Sequence, residues 1–349
     1  MSPSTDVNTA DRPPTPAGSA APLLTVSGLS VEFGPRRAPV RVLDDVSFHV
    51  RENETVGLVG ESGSGKTLSC LAALGLIEQQ GGRRVAGTVQ LRDTALSALS
   101  PRALRRIRGD RIGMIFQQPM RSLNPAFTVG DHIAETVRRH AGLGRRAAWQ
   151  RAAELLDRVH IADAARRLHN YPHQFSGGMC QRVMIAVALA CDPELLIADE
   201  PTTALDVTVQ ARILDLLREI REESGISVLM ISHDLGVIAE VCDRVVVMYA
   251  GQVVESAGVD ELFRRPRHPY TAGLIASIPR VGQGRRLAAI PGRVPSPDAM
   301  PPNCRFHNRC THFRETECTS PSVLRELPGA AAVRCHRAAE LALAGVTPA

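Results

Sequence analysis

Lysine is almost missing from this sequence: among 41 Lys+Arg residues in 349, Lys66 is the only lysine. Aromatic residues are scarce too, at 3% against a hydrophobic content of 44%. A core built from this chain is therefore mostly aliphatic. No stretch approaches the ~18 uninterrupted apolar residues of a membrane-spanning helix, so none is expected. The first residues carry Asp6, Asp11 and Arg12 among Pro, Ala, Ser and Thr, and lack an apolar central run. That pattern argues against a signal peptide and predicts a disordered tail over residues 1–22 of a cytosolic protein. The net charge of +5 comes from interspersed Arg and acid. No basic run is interleaved with aromatics, so a nucleic-acid surface is not indicated. The mild excess of positive charge is only a weak pointer to an anionic membrane surface.

What is present begins with Gly60-Glu61-Ser62-Gly63-Ser64-Gly65-Lys66-Thr67. A short apolar run, Glu54 to Val59, precedes it and a helix-forming run, Leu68 to Gly75, follows. Strand, glycine loop and helix is the context that a phosphate-binding loop requires. Glycines let the backbone turn several N–H groups inward, and the helix adds its positive end. Lys66 supplies a compact cation for phosphates and Thr67 a hydroxyl for Mg²⁺. A glycine-rich turn matching by chance is the bland alternative. A lone lysine in an arginine-rich chain weighs against it, because the planar guanidinium is no substitute at such a point.

Further along, Leu23 to Val50 alternates as an antiparallel hairpin would, and residues 95–180 are largely helical in pattern. Ser100-Pro101 reads as a helix start, and Trp149–Val159 and Ala162–Leu168 as amphipathic helices. Ser176-Gly177-Gly178 opens a long apolar helix, a second anion-friendly N-terminus. Leu195 to Ala198 is an apolar strand ending in Asp199 and Glu200, suited to holding Mg²⁺ and to polarising water, or else simply solvated acids. Asp206 follows in a turn. Ser227 to Ser232 is another buried strand, ending at His233, where ligand sites of α/β sheets form. Arg244–Tyr249 and Gly251–Glu255 read as a last hairpin. Phe33 fits packing within the first sheet better than stacking on a base.

Together these residues resemble the ATP-binding cassette family: phosphate loop, Gln117, Ser176-Gly177-Gly178, Asp199-Glu200, Asp206 and His233 stand in family order. The resemblance implies a RecA-like α/β P-loop core with an antiparallel β subdomain, a helical subdomain near 95–180, and two cassettes sandwiching ATP. Under it Gly60, Ser62, Gly63, Gly65, Lys66, Thr67, Gln117 and Asp199 hold ATP and Mg²⁺. Ser176 and Gly178 face the γ-phosphate held by the partner cassette, Asp206 belongs to the nucleotide-binding set, Phe33 stacks on adenine, Glu200 is general base and His233 holds the γ-phosphate. The signature reads Phe175-Ser-Gly-Gly-Met179 where the family commonly has Leu-Ser-Gly-Gly-Gln, with the phosphate-facing residues kept. Ser122-Leu123-Asn124-Pro125, His268-Pro269-Tyr270-Thr271, Pro279 and Ile290-Pro291-Gly292 are similar to the ATPase subunits of oligopeptide and dipeptide importers.

That resemblance implies two permease subunits, a second ATPase subunit (identical or a paralogue), an extracytoplasmic peptide-binding protein and a place on the cytoplasmic face of the membrane. Nickel or another solute is the alternative cargo, and a soluble cassette ATPase is a more distant alternative. The ATPase domain is expected over 23–262 and a C-terminal extension over 263–349. In that extension Cys304, Cys310, Cys318 and Cys335 are spaced unlike a common ferredoxin or zinc site, so spacing only suggests a metal. The resemblance implies a [4Fe–4S] cluster. Zinc, with His307, His312 or His336, and no metal remain the other readings.

Overall fold

The structure is a computed structural model and describes residues 21–203, 205–278, 289–327 and 331–346. Pro279 and nearly all of the expected N-terminal tail lie outside these residues. Strand β1 (Pro22–Phe33) pairs with β2 (Val40–Arg51) as a bulged hairpin. Its first residue falls inside the expected tail, because a proline is tolerated where a strand begins. Next come β3 (Thr55–Val59), α1 (Lys66–Ala73), β4 (Arg83–Leu91) and β5 (Thr94–Ala95).

A helical block follows: α2 (Pro101–Asp110), interrupted at Arg108 and Gly109, β6 (Ile112–Ile115), α3 (Pro119–Ser122), α4 (Val129–His140), α5 (Arg145–Arg158), α6 (Ala164–Arg167) and α7 (Gly177–Ala188). Ser100 caps α2 by accepting from the Ala103 N–H at 3.3 Å, with Pro101 in the first turn. Helix α5 begins four residues before the expected Trp149, at the Gly144 cap. Helix α6 is shorter than the sequence pattern suggests.

The chain then runs through β7 (Leu195–Asp199), α8 (Val207–Ser224), β8 (Ser227–Ser232), α9 (Leu235–Val241), β9 (Arg244–Tyr249), β10 (Gln252–Gly258), α10 (Val259–Arg264) and α11 (Pro269–Ala276). Two short strands, β11 (Arg325–Leu327) and β12 (Ala331–Val333), come last.

Two sheets result. One is antiparallel, in the order β2-β1-β4-β5, and the other runs β11-β12-β10-β9-β3-β8-β7-β6. In the second, β9, β3, β8, β7 and β6 are parallel. Every residue of β3, β7, β8 and β9 is buried. This is why these strands read as continuous apolar runs: both faces of a parallel sheet are covered. Alternate residues divide the core. Leu58, Ile197, Ile231 and Val246 face the antiparallel sheet and α1, whereas Ala198, Met230 and Val247 join the helical side. The hairpin expected to close the fold is not the edge: β12 pairs with β10 and carries the C-terminal extension onto the sheet. Two three-residue strands are too short to show a period in sequence.

Candidate functional site

The glycine loop joins the end of β3 to α1. Gly60, Gly63 and Gly65 all have positive φ, at 151°, 79° and 100°. A Cβ at Gly60 would lie 2.2 Å from the Met248 carbonyl, and one at Gly65 would lie 2.6 Å from Leu43 Cδ2. Only glycine permits this path. The Lys66 ammonium curls back and donates to the carbonyls of Gly60 at 2.7 Å and Glu61 at 3.2 Å. Burial lowers its pKa, against the charges of Glu200, Asp199 and Glu61, which raise it. The Ser64 hydroxyl is buried and has no hydrogen-bond partner among the described residues. Helix α1 has no side-chain cap and no acid in its first turn, so its N-terminal N–H groups are uncommitted by side chains. An unused buried donor, a cation and a bare helix N-terminus form a cradle for a polyanion.

Strands β3, β8 and β7 are neighbours and parallel, so their C-terminal ends meet beside this loop. Thr67 Oγ1 donates to Asp199 Oδ1 at 3.0 Å. The oxygens of Thr67, Asp199 and Gln117 are a hard donor set of the kind Mg²⁺ takes. Burial raises the Asp199 pKa, opposed by the Thr67 hydrogen bond and reinforced by Glu200. Glu200 sits in the left-handed region at φ 48°. A non-glycine residue held there is strained, a common mark of a functional position.

Three side chains converge on its carboxylate. Gln117 Nε2 donates to Oε2 at 2.7 Å, Thr203 Oγ1 donates to the same oxygen at 2.8 Å, and His233 Nδ1 lies 3.3 Å from Oε1. Burial pushes the Glu200 pKa upward, but the bonds from Thr203 and Gln117, with His233 beside them, bring it below the ordinary carboxylate value. An ionised carboxylate with fixed orientation is equipped to accept a proton from water.

Ser176, Gly178 and Asp206 form a second group. Ser176 caps α7 and Asp206 caps α8, accepting from Val209 N–H at 2.9 Å. A Cβ on Gly178 would meet Val209 at 2.6 Å, so the two helix starts pack closely. Among the described residues, neither Ser176 nor Asp206 hydrogen-bonds to the phosphate loop, and both are exposed. Phe33 is half-buried in the β1–β2 hairpin and lies against Gly82. Sequence reading missed Thr203, whose place three residues after Glu200 in a turn was the available signal. It also missed the side chains of Glu61 and Arg309, which local pattern could not connect.

In the C-terminal extension Cys304, Cys310, Cys318 and Cys335 line one cavity, together with Phe306 and His307. Its volume is about 20 Å³, room for roughly one water. Among the described residues, no group of three or more His, Cys, Asp or Glu side chains could hold a metal ion. The expectation of iron–sulfur or zinc is therefore not met by these side-chain positions. Burial raises the thiol pKa of Cys304 and Cys310 and pushes Cys335 up to about 11. A metal would have to displace those protons and part the walls.

Loop, strand ends and sheet order together define a P-loop nucleotide-hydrolysing α/β fold. Residues 43–203 match the ABC transporter family model, and residues 254–318 match that of the oligopeptide/dipeptide transporter C-terminal region. A Brucella abortus protein named for peptide import and ATP binding is 52% identical over 316 residues, covering 90% of this chain and 95% of its own. The oligopeptide transport ATP-binding protein AppD of Bacillus subtilis is 48% identical over 315 residues, covering 90% and 96%. The solved dimer of the ATP-binding cassette MJ0796 with ADP and Pi superposes with TM-score 0.59 at 28% identity, over 68% of this chain and 98% of that one. CbiO1 of Clostridium perfringens, part of the transporter complex cbiONQ, gives TM-score 0.59 at 25% identity, over 69% and 90%. The chain belongs to the ATP-binding cassette ATPases, in their oligopeptide/dipeptide transporter group. It hydrolyses ATP in the service of transport. No described helix is long and apolar enough to cross a membrane, and the family implies permease partners and a pair of ATPase subunits.

Proposed function

We propose that this chain powers the import of di- or oligopeptides, as a peripheral ATPase at the cytoplasmic face of a membrane transporter fed by an extracytoplasmic peptide-binding protein. The observation that carries the chemistry is the convergence of Gln117, Thr203 and His233 on Glu200, beside the Thr67–Asp199 pair. The names of the relatives support the peptide cargo.

The proposed mechanism follows from those positions. Backbone N–H groups of Ser62, Gly63 and Gly65 and the Lys66 ammonium bind the phosphates of ATP. Thr67, Asp199 and Gln117 would hold Mg²⁺, which supplies charge neutralisation at the β- and γ-phosphates. Glu200 accepts a proton from water as its oxygen bonds to the γ-phosphorus and the bond to ADP breaks. His233 steadies the γ-phosphate and Phe33 stacks on adenine. Ser176 and Asp206, both exposed, and the half-buried Gly178 meet the nucleotide of the partner cassette. We further propose that the four cysteines of the extension ligate a [4Fe–4S] cluster that staples it. The four cysteines line one cavity, which the cluster would have to widen.

The test is reconstitution in liposomes with the co-purifying permeases. ATP hydrolysis that rises with peptide-loaded binding protein, accompanied by peptide uptake, is expected. Hydrolysis that ignores peptides and responds to another solute would overturn the cargo. Isolation without permeases would overturn the transporter role.

A further inference from the structure

Every polar group of Glu61, the second residue of the phosphate loop, is committed. Its carbonyl accepts from Lys66 Nζ at 3.2 Å and from Ser64 N–H at 3.1 Å. Its N–H donates to the Tyr270 hydroxyl at 2.8 Å. Its carboxylate takes both arms of Arg309, at 2.6 and 2.9 Å. Tyr270 and Arg309 both lie in the C-terminal extension, 209 and 248 residues away.

Arg309 has no freedom of its own. Its side chain is 4% exposed, and Nε donates to the Pro291 carbonyl at 2.8 Å. The guanidinium lies 5.6 Å from the Tyr249 ring centre and 5.9 Å from that of Phe306. A second arginine works nearby. Arg305 donates to the Ala250 carbonyl and to Asp44. The adjoining Gly251 N–H donates to the Ser64 carbonyl at 2.9 Å. The extension thus grips the loop directly at Glu61, and reaches Ser64 only through the β9–β10 turn that Arg305 holds.

We infer that Arg309 is a positioning residue for nucleotide binding: by clamping Glu61 it holds the phosphate loop in the shape that receives ATP. The physical reason is preorganisation. A loop whose N–H groups must point inward binds tightly only if it does not have to be ordered by the ligand. A planar fork gripping a carboxylate at two points fixes direction as well as distance. The inference rests on reading Gly60–Thr67 as the nucleotide site.

The experiment is calorimetric titration of the full chain with MgATP, with Tm measured without nucleotide. R309A is expected to weaken MgATP binding by roughly ten-fold, the size of one charge-assisted contact. R309K should recover only part, because an ammonium cannot grip both oxygens. E61Q should weaken binding similarly, and E61Q/R309A no further than either alone. If R309A fails to fold, E61Q and R309K decide the matter. A lowered Tm with MgATP affinity unchanged within about two-fold would make Arg309 merely structural and overturn the inference. K66A separates the two readings. If K66A keeps wild-type affinity, the nucleotide site itself is misread. If K66A loses affinity and the Arg309 and Glu61 variants do not, only the positioning role falls.

Discussion

Gln117 and Glu200 are hydrogen-bonded at 2.7 Å across the ends of two neighbouring strands, β6 and β7. The bond ties the exposed segment after β6 to the carboxylate proposed as general base. Anything that moves that segment therefore alters the base directly, which suits an enzyme driven from outside its own active site.

Replacing Glu200 by Gln keeps the shape and removes the base. ATP hydrolysis by the assembled transporter should fall by roughly 10²-fold or more, with MgATP affinity retained. Q117A and T203A should lower hydrolysis less, and should move the acid limb of the rate profile upward. The wild-type carboxylate is held below its usual pKa by these bonds; once they are lost, it protonates at higher pH. Equal rates for E200Q and wild type would remove Glu200 from the chemistry.

The single lysine offers a direct probe. An amine-reactive reagent has only Lys66 and the α-amino group to modify. Burial lowers the Lys66 pKa, which leaves more free amine near neutrality. MgATP should protect Lys66 and leave α-amino labelling unchanged, as read by peptide mass spectrometry. Labelling of Lys66 that ignores MgATP would argue against its contact with phosphate. K66R should bind MgATP poorly despite its charge.

The cysteine cavity makes a spectroscopic prediction. If the four cysteines ligate the cluster proposed above, anaerobically purified protein is coloured and carries iron and acid-labile sulfide, and C318S loses both and melts at lower temperature. Colourless, iron-free protein with a wild-type Tm in C318S would leave the four thiols as plain packing.

A buried acid gives a pH signature elsewhere. Glu255 is 0% exposed and accepts from the N–H groups of Arg267 at 2.7 Å and His268 at 2.9 Å. Burial pushes its pKa up to about 7 from 4.5. The folded state therefore holds a proton that the unfolded state has released across that window. The stability contributed by Glu255 falls as pH rises through the window and is constant above it. Relative to wild type, E255Q should gain on the order of 3 kcal/mol between about pH 4.5 and pH 7.5. The neighbouring His268, whose burial acts oppositely, is common to both proteins and drops out of the difference. Denaturant unfolding at the two pH values reads it, and a pH-independent difference would refute the buried-acid account.

The phosphate loop, the acids after β7 and His233 after β8 were legible in the sequence for one reason. Each is a polar cluster at the end of a short apolar run, and chain polarity puts the ends of parallel strands on one edge. The Ser100 and Ser176 caps are local bonds spanning three residues and were equally readable, whereas Asp206, which caps α8 in the same way, read only as a turn residue. The tail was not. Beyond His268 the sequence has little period, and β11 and β12 exist because β10 offers them an edge.

What the sequence determined by itself, then, is the parallel core and the chemistry at its strand ends, because periodicity and motif spacing act over a few residues. Only the tertiary structure decided that Arg309 would meet Glu61, that Thr203 would join Gln117 on Glu200, and that four cysteines would share one small cavity. Those contacts depend on how separate elements pack, and a side chain 248 positions away leaves no trace in local pattern. The physical reason is burial. An arginine taken out of water must find its carboxylate wherever the folded chain presents one.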